Sequence, residues 1–102
     1  MFEICNSKGF FVTFPNGVTL STQFGGGDYC MNFDDPVERH SDGKQCVDAE
    51  IAVVDEAGNW RTKEVMALAG EPEPTDNFVG HVTVDVCCKV VEACRKIPAD
   101  TL

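Results

Sequence analysis

Apolar and polar side chains alternate in two runs near the start of the chain. Phe10, Val12 and Phe14 alternate with Phe11 and Thr13, and, after Pro15-Asn16-Gly17, Val18, Leu20, Thr22 and Phe24 alternate with Thr19, Ser21 and Gln23. A period of two marks strands, and turn residues between two such runs mark a hairpin. Loop length then decides the register. A two-residue Asn16-Gly17 turn would pair Phe14 with Thr19 and mix the faces. A three-residue loop pairs Phe14 with Val18, Val12 with Leu20 and Phe10 with Thr22, which collects the apolar side chains on one face. It also places Pro15 and Asn16 at the centre of a type I turn and Gly17 at the left-handed bulge position. The three-residue loop is the expected one.

A second alternation runs from Cys46 to Asp55, with Val47, Ala49, Ile51 and Val53 against Asp48 and Glu50. Asp55 to Asn59 supplies a turn, with Asp55 at its first position and Gly58 at a left-handed one. Trp60 to Met66 reads as the return strand, and Trp60, the only tryptophan, as a core or hairpin-packing residue. Residues 67–82 contain Pro72 and Pro74, which favour an extended connection over a helix. From Thr83 the period changes. Val86, Val90, Cys94 and Ile97 recur at helical spacing, with Cys87 and Val91 widening the stripe. Thr83 suits the cap, Asp85 the first turn, Arg95 and Lys96 the last, and Pro98 the stop. The spacing predicts a helix over 83–97. The expected fold is α+β: a small antiparallel β-sheet of two hairpins with one C-terminal α-helix packed on it, in a single domain spanning 1–102.

Between the two sheet segments lie three consecutive glycines and a polar stretch. Gly25, Gly26 and Gly27 precede Asp28-Tyr29-Cys30, so neither the Lys-Ser/Thr of a phosphate-binding P-loop nor the spaced third glycine of a dinucleotide fingerprint follows. Asp28 would also repel a phosphate. A strand end or bulge is the expected structure there. Residues 31–45 show neither period and include Pro36 and Gly43, which reads as a long surface loop.

Charge narrows the function classes. The chain carries 17 acids against 8 bases, a net charge of −9, which disfavours direct binding to nucleic acid or to an anionic membrane. From Asp28 to Glu56 there are nine acids, among them Asp34, Asp35, Glu38 and Asp42, against only Arg39 and Lys44. Such a stretch reads either as a solubility coat or as a contact surface for a basic partner. No apolar run is long enough to span a membrane, and the N-terminus lacks the basic and apolar regions of a signal peptide, so a cytoplasmic location is expected. In that compartment the six cysteines are expected to be thiols.

The chemistry-bearing residues form no recognisable constellation. Cys30, His40 and Cys46, with Asp34 or Asp35 as a fourth ligand, do not follow zinc-finger spacing, and neither a metal nor another cofactor is expected. Cys30 as a nucleophile with His40 as its base rests on two lone residues, and no G-x-S-x-G or H-E-x-x-H motif is present. No catalytic residue is assigned, and the chain is expected not to be an enzyme.

The stretch GFFVTFPNGVTLSTQFGGGDYC, residues 9–30, resembles a family of short phage and prophage proteins. Their shared pattern is G-F-x-x-T-F-x-N-G-x-T-x-S-x-Q-F-G-x-G-N-Y-C. The matching residues run from Gly9, Phe10, Thr13 and Phe14 through Asn16, Gly17, Thr19, Ser21, Gln23 and Phe24 to Gly25, Gly27, Tyr29 and Cys30, with Asp28 in place of the pattern's Asn. The hairpin at 49–60 is also similar. The resemblance implies a phage accessory protein that blunts host defence by stoichiometric binding. One form is an acidic, anti-CRISPR-like inhibitor that covers a basic nucleic-acid-binding surface of a host protein or defence complex, with Asp28, Asp34, Asp35, Glu38 and Asp42 as its contacts. The alternative is a sponge that holds a nucleotide-like immune signal, a cyclic nucleotide or ADP-ribose derivative, between the subunits of a homo-oligomer. There Gly25, Gly26 and Gly27 would offer backbone amides, and Phe24 and Tyr29 would stack on a base.

Overall fold

The computed structural model describes residues 2–4, 9–24 and 47–98. Five strands and two helices follow in the order β1 (Phe2–Ile4), β2 (Gly9–Thr13), β3 (Thr19–Gln23), β4 (Asp48–Val54), α1 (Thr62–Leu68), β5 (Phe78–Thr83) and α2 (Val84–Lys96). The strands form one antiparallel sheet in sequence order, β1-β2-β3-β4-β5.

The first hairpin has the predicted three-residue loop. Val12 pairs with Leu20 and Phe10 with Thr22. The Phe14 N–H donates to Val18 O at 2.8 Å, and the Gly17 N–H to Phe14 O at 2.9 Å, closing a turn centred on Pro15 and Asn16. Gly17 has φ +89°, the left-handed conformation that side chains resist. Leu20 and Thr22 are buried, and Phe14 packs against the core.

The second hairpin is built differently from the expected one. The turn is as read: the Gly58 N–H donates to Asp55 O at 3.0 Å, the Asn59 N–H to Asp55 Oδ1 at 2.8 Å, and Gly58 has φ +88°. Beyond it, however, only Trp60 bridges back to Val54, and residues 62–68 are helix α1 rather than a return strand. The reason lies in the side chains. Position two apart from Trp60 gives Thr62, Glu64 and Met66, a poor strand face, whereas Thr62, Val65, Met66 and Ala69 recur at helical spacing and pack inward. Thr62 fixes the helix start from inside the molecule. Its hydroxyl accepts from the Val53 N–H at 2.9 Å and donates to Asn77 O at 2.7 Å. At the other end the Gly70 N–H reaches Ala67 O and the Glu71 N–H reaches Met66 O, both at 3.0 Å, the paired bonds of a Schellman stop.

The strand that pairs with β4 is β5, inside the segment read as an extended connection. Its pairing is irregular between Ala49 and Ile51, where Gly80 and His81 bulge from the edge. His81 takes φ +53°, and its Nδ1 lies 3.0 Å from Asp48 Oδ2. A bulge at an edge strand interrupts the unpaired backbone row that would otherwise recruit another strand.

Helix α2 follows β5 without a loop, one residue inside the predicted span at each end. Thr83 caps it by accepting from the Val86 N–H, Asp85 lies in the first turn, and Arg95 and Lys96 lie in the last. Val90, Ala93, Cys94 and Ile97 are buried and meet Val18, Leu20, Ile51, Val53 and Val82 from the sheet and Val65 and Met66 from α1. Val86, Cys87 and Val91 complete the stripe. Both helices therefore cover the same face of the sheet. The fold is α+β: a small antiparallel sheet with the C-terminal helix packed on it, as expected, plus the short helix α1. No helix among the described residues is long and apolar enough to cross a membrane.

Candidate functional site

Both helices lie on one face of the sheet, and no described element covers the other. Alternation places Leu20, Ile51 and Val53 inward, so Phe11, Thr13, Thr19, Ser21, Ala52 and Val54 project to the open side. Register aligns them in rows: Phe11 beside Ser21 beside Ala52 beside Phe78, and Thr13 beside Thr19 beside Val54 beside Trp60. Phe11, Thr19, Ser21, Ala52, Val54 and Trp60 line a groove of about 300 Å³. Trp60 is 55% exposed and Phe78 is 39% exposed. Trp60 therefore lies outside the core, bridging to Val54 and lining the groove.

Some polar groups of this face engage one another, while the buried Gln23 Oε1 has no partner among the described residues. Thr13 Oγ1 and Thr19 Oγ1 are 2.9 Å apart, and the Gln23 side-chain amide donates to Ser21 Oγ at 3.2 Å. Next to Trp60, Arg61 is tied down: its Nε donates to Asp55 Oδ2 at 2.9 Å and its Nη1 to Glu64 at 2.8 Å. Burial pushes the Asp55 carboxyl up, but the Asn59 N–H and the Arg61 guanidinium outweigh that and leave it below its ordinary range.

A second recess, about 200 Å³, lies at the far end of the sheet between Phe24, Val47 and the start of α2. Thr22, Asp48, Ala49, Val82, Thr83, Val84 and Cys87 complete its wall. Phe24 stands edge-on to Phe10, with ring centroids 6.3 Å apart. The buried Thr22 hydroxyl has no hydrogen-bond partner among the described residues. Val47 is 67% exposed at this rim rather than in the core row where its alternation had placed it.

Of the residues expected to contact a partner or ligand, Phe24 alone lies within the described structure. Gly25, Gly26, Gly27, Asp28, Tyr29, Asp34, Asp35, Glu38 and Asp42 lie outside the described residues, as do Cys30, His40 and Cys46. Among the described residues no group of three His, Cys, Asp or Glu side chains could hold a metal. The three described cysteines, Cys87, Cys88 and Cys94, are free thiols. Burial, with a smaller effect from Cys87, pushes the Cys94 thiol up to about 12, which leaves it protonated and unreactive.

The inward half of each alternation points to the core and carries no sign of the groove. The signal was there in the outward half. Phe11, Ala52 and Val54 are apolar at positions where a sheet with one solvated face usually carries polar side chains. No protein-family model matches the chain, and neither a curated protein nor a solved structure matches it.

Proposed function

We propose that this is a phage-type accessory protein that counters host defence by stoichiometric binding rather than by catalysis. It acts in the host cytoplasm as an acidic, anti-CRISPR-like inhibitor that occupies a basic nucleic-acid-binding surface. The observation that carries the reading is charge. The net charge is −9, and of the described cations Arg61, Lys89 and Arg95 are each paired with acids of the same chain. One of the nine acids of the 28–56 stretch, Asp55, is buried and paired with Arg61, and the others still outnumber Arg39 and Lys44 there, so the outward field is negative and favours encounter with a basic surface.

The test is inhibition of purified defence nucleases by the purified protein at rising salt. The expected result is stoichiometric inhibition that weakens with salt and is lost when Asp34, Asp35 and Glu38 are changed together to lysine at an unchanged melting temperature. Full inhibition by that variant, at low and raised salt alike, would overturn the reading.

The recess beside Phe24 supports the sponge as a second reading, because an aromatic ring and an unpartnered hydroxyl meet there at the first turn of a helix. Asp48 in its wall and Asp85 in that first turn oppose a phosphate. Retention of a cyclic nucleotide or ADP-ribose derivative through gel filtration would move the assignment to the sponge.

A further inference from the structure

We propose that the groove between β5 and residues 71–74 docks an extended, basic peptide segment of another protein, one that presents apolar side chains flanked by Lys or Arg. None of the groove's wall residues belongs to the acidic stretch at 28–56, so the two are separate contact sites.

The groove arises from how the chain passes from α1 to β5. Pro72 and Pro74 keep that passage extended, and it forms one wall. Residues 79–83 of β5 form the other, and the groove between them measures about 290 Å³. Met66 and Val82 are core side chains, each 4% exposed, that also reach this groove, and the half-buried Val79 and Val86 join them there. An apolar concavity with a few charged groups at its edge is the usual form of a recognition site. Its strand wall runs for roughly 13 Å at the usual rise, the length of about four or five residues of extended chain.

Charge selects the occupant. From Glu64 to Cys88 the chain has five acids and neither Lys nor Arg. Two of those acids, Glu71 and Glu73, stand in the groove wall itself. Glu73 is exposed and has no ion-pair partner among the described residues, while Lys89 reaches Glu71 only at 3.7 Å. An exposed contact of that kind is weak and screened. His81 is the one wall residue able to carry positive charge, and its Nδ1 lies 3.0 Å from Asp48, which offsets that charge when it is protonated. An acidic segment is therefore repelled, and so is a second copy of this chain, with its net charge of −9.

Side chains rather than backbone hold the segment. The bulge at Gly80 and His81 breaks the row of β5 groups that a sixth strand would pair with. Apolar side chains of the segment meet Met66, Val79 and Val86, and its long cationic side chains reach back to Glu71 and Glu73.

The test is titration of the isotopically labelled full chain with a ten-residue alternating Lys/Leu peptide, followed by amide chemical shifts. Saturable binding is expected to move the amides of Glu73, Val79, Gly80, His81 and Thr83 and to weaken as salt rises. A Glu/Leu peptide and a Lys/Ser peptide, which lack the charge and the apolar side chains respectively, leave them in place. Glu73→Lys is expected to raise the dissociation constant roughly three- to tenfold. Glu92→Lys, the same charge reversal at an exposed α2 position outside the groove, changes it less than twofold. The variant with Asp34, Asp35 and Glu38 changed to lysine still shows the same moved amides, which separates failure here from failure of the inhibitor reading. Absence of saturable binding up to about 1 mM peptide overturns the proposal. So do moved amides that lie elsewhere, equal binding of the Lys/Ser peptide, or an affinity that responds alike to Glu73→Lys and Glu92→Lys. Should Glu73→Lys fail to fold, the wild-type shift map with the three peptides decides.

Discussion

Asn16 ties the first hairpin to the last helix. Its Oδ1 accepts from the Val18 N–H at 3.1 Å, holding the turn, while its Nδ2 donates to Cys94 O and Ile97 O, both at 2.8 Å. Those carbonyls lie at the C-terminal end of α2, where a helix has no acceptor-satisfying partners of its own. Asn16→Ala is expected to cost roughly 1–3 kcal/mol, the cost of leaving such groups unsatisfied. Asn16→Asp should cost more, because a carboxylate facing carbonyl oxygens repels them. Denaturant titration gives the order, and faster amide exchange in the last turn of α2 locates the loss. Asp55 provides the matching case for pH. Its carboxyl is held below its ordinary value by the Asn59 N–H and Arg61 against the opposing effect of burial. A depressed pKa in the folded state contributes stability above the unfolded value of about 3.9, and that contribution is lost as pH falls through the folded pKa. The melting-temperature gap between the wild type and Asp55→Asn should therefore be full at neutral pH and close progressively below about pH 4.

Helix α2 carries three cysteines in eight residues, and its amphipathicity sorts them. Cys94 lies on the buried stripe with Val90 and Ile97, Cys87 at its margin, and Cys88 on the solvent side. Burial raises the thiol of Cys94 to about 12, and burial also raises that of Cys87. Because the thiolate is the reactive form, iodoacetamide should label Cys88 first, Cys87 more slowly, and Cys94 only after unfolding. Peptide mapping by mass spectrometry resolves the three. Labelling of Cys94 at the rate of Cys88 under native conditions would mean that α2 does not pack as described. Helix α1 makes the complementary point. Seven residues with no side-chain cap are too few to hold a helix alone, and it exists because Thr62, Val65 and Met66 are fastened to the core.

At the scale of the molecule, sheet and helices depend on one another. Three of the buried core residues, Val90, Ala93 and Cys94, come from α2 and a fourth, Ile97, from its C-cap, and without them Leu20, Ile51 and Val53 face water. Burying a single large apolar side chain is worth about 1.5–3 kcal/mol, so losing α2 removes a sum comparable to the 5–15 kcal/mol that stabilises a typical domain. A chain ending at Thr83 is expected to show no cooperative thermal transition by circular dichroism. A cooperative melt in that truncated chain would show that the sheet is stable without its cover.

The sequence by itself determined the elements whose signals are local. Alternation together with Pro15-Asn16-Gly17 set the register of β2 and β3, because only one loop length puts Val12 against Leu20. The Thr83 cap and Pro98 stop bounded α2, because helix ends are governed by the few side chains around them. Tertiary structure decided what lay between. Residues 62–68 are helical because Thr62 finds partners in Val53 and Asn77, nine and fifteen positions away, and no local pattern contains those bonds. Residues 78–83 became a strand because, with α1 folded under the sheet, β4 still had an unpaired edge. The open face was half legible: Phe11, Ala52 and Val54 stood at outward positions, but periodicity cannot say which face of a sheet the helices will cover. That depends on how the whole chain packs.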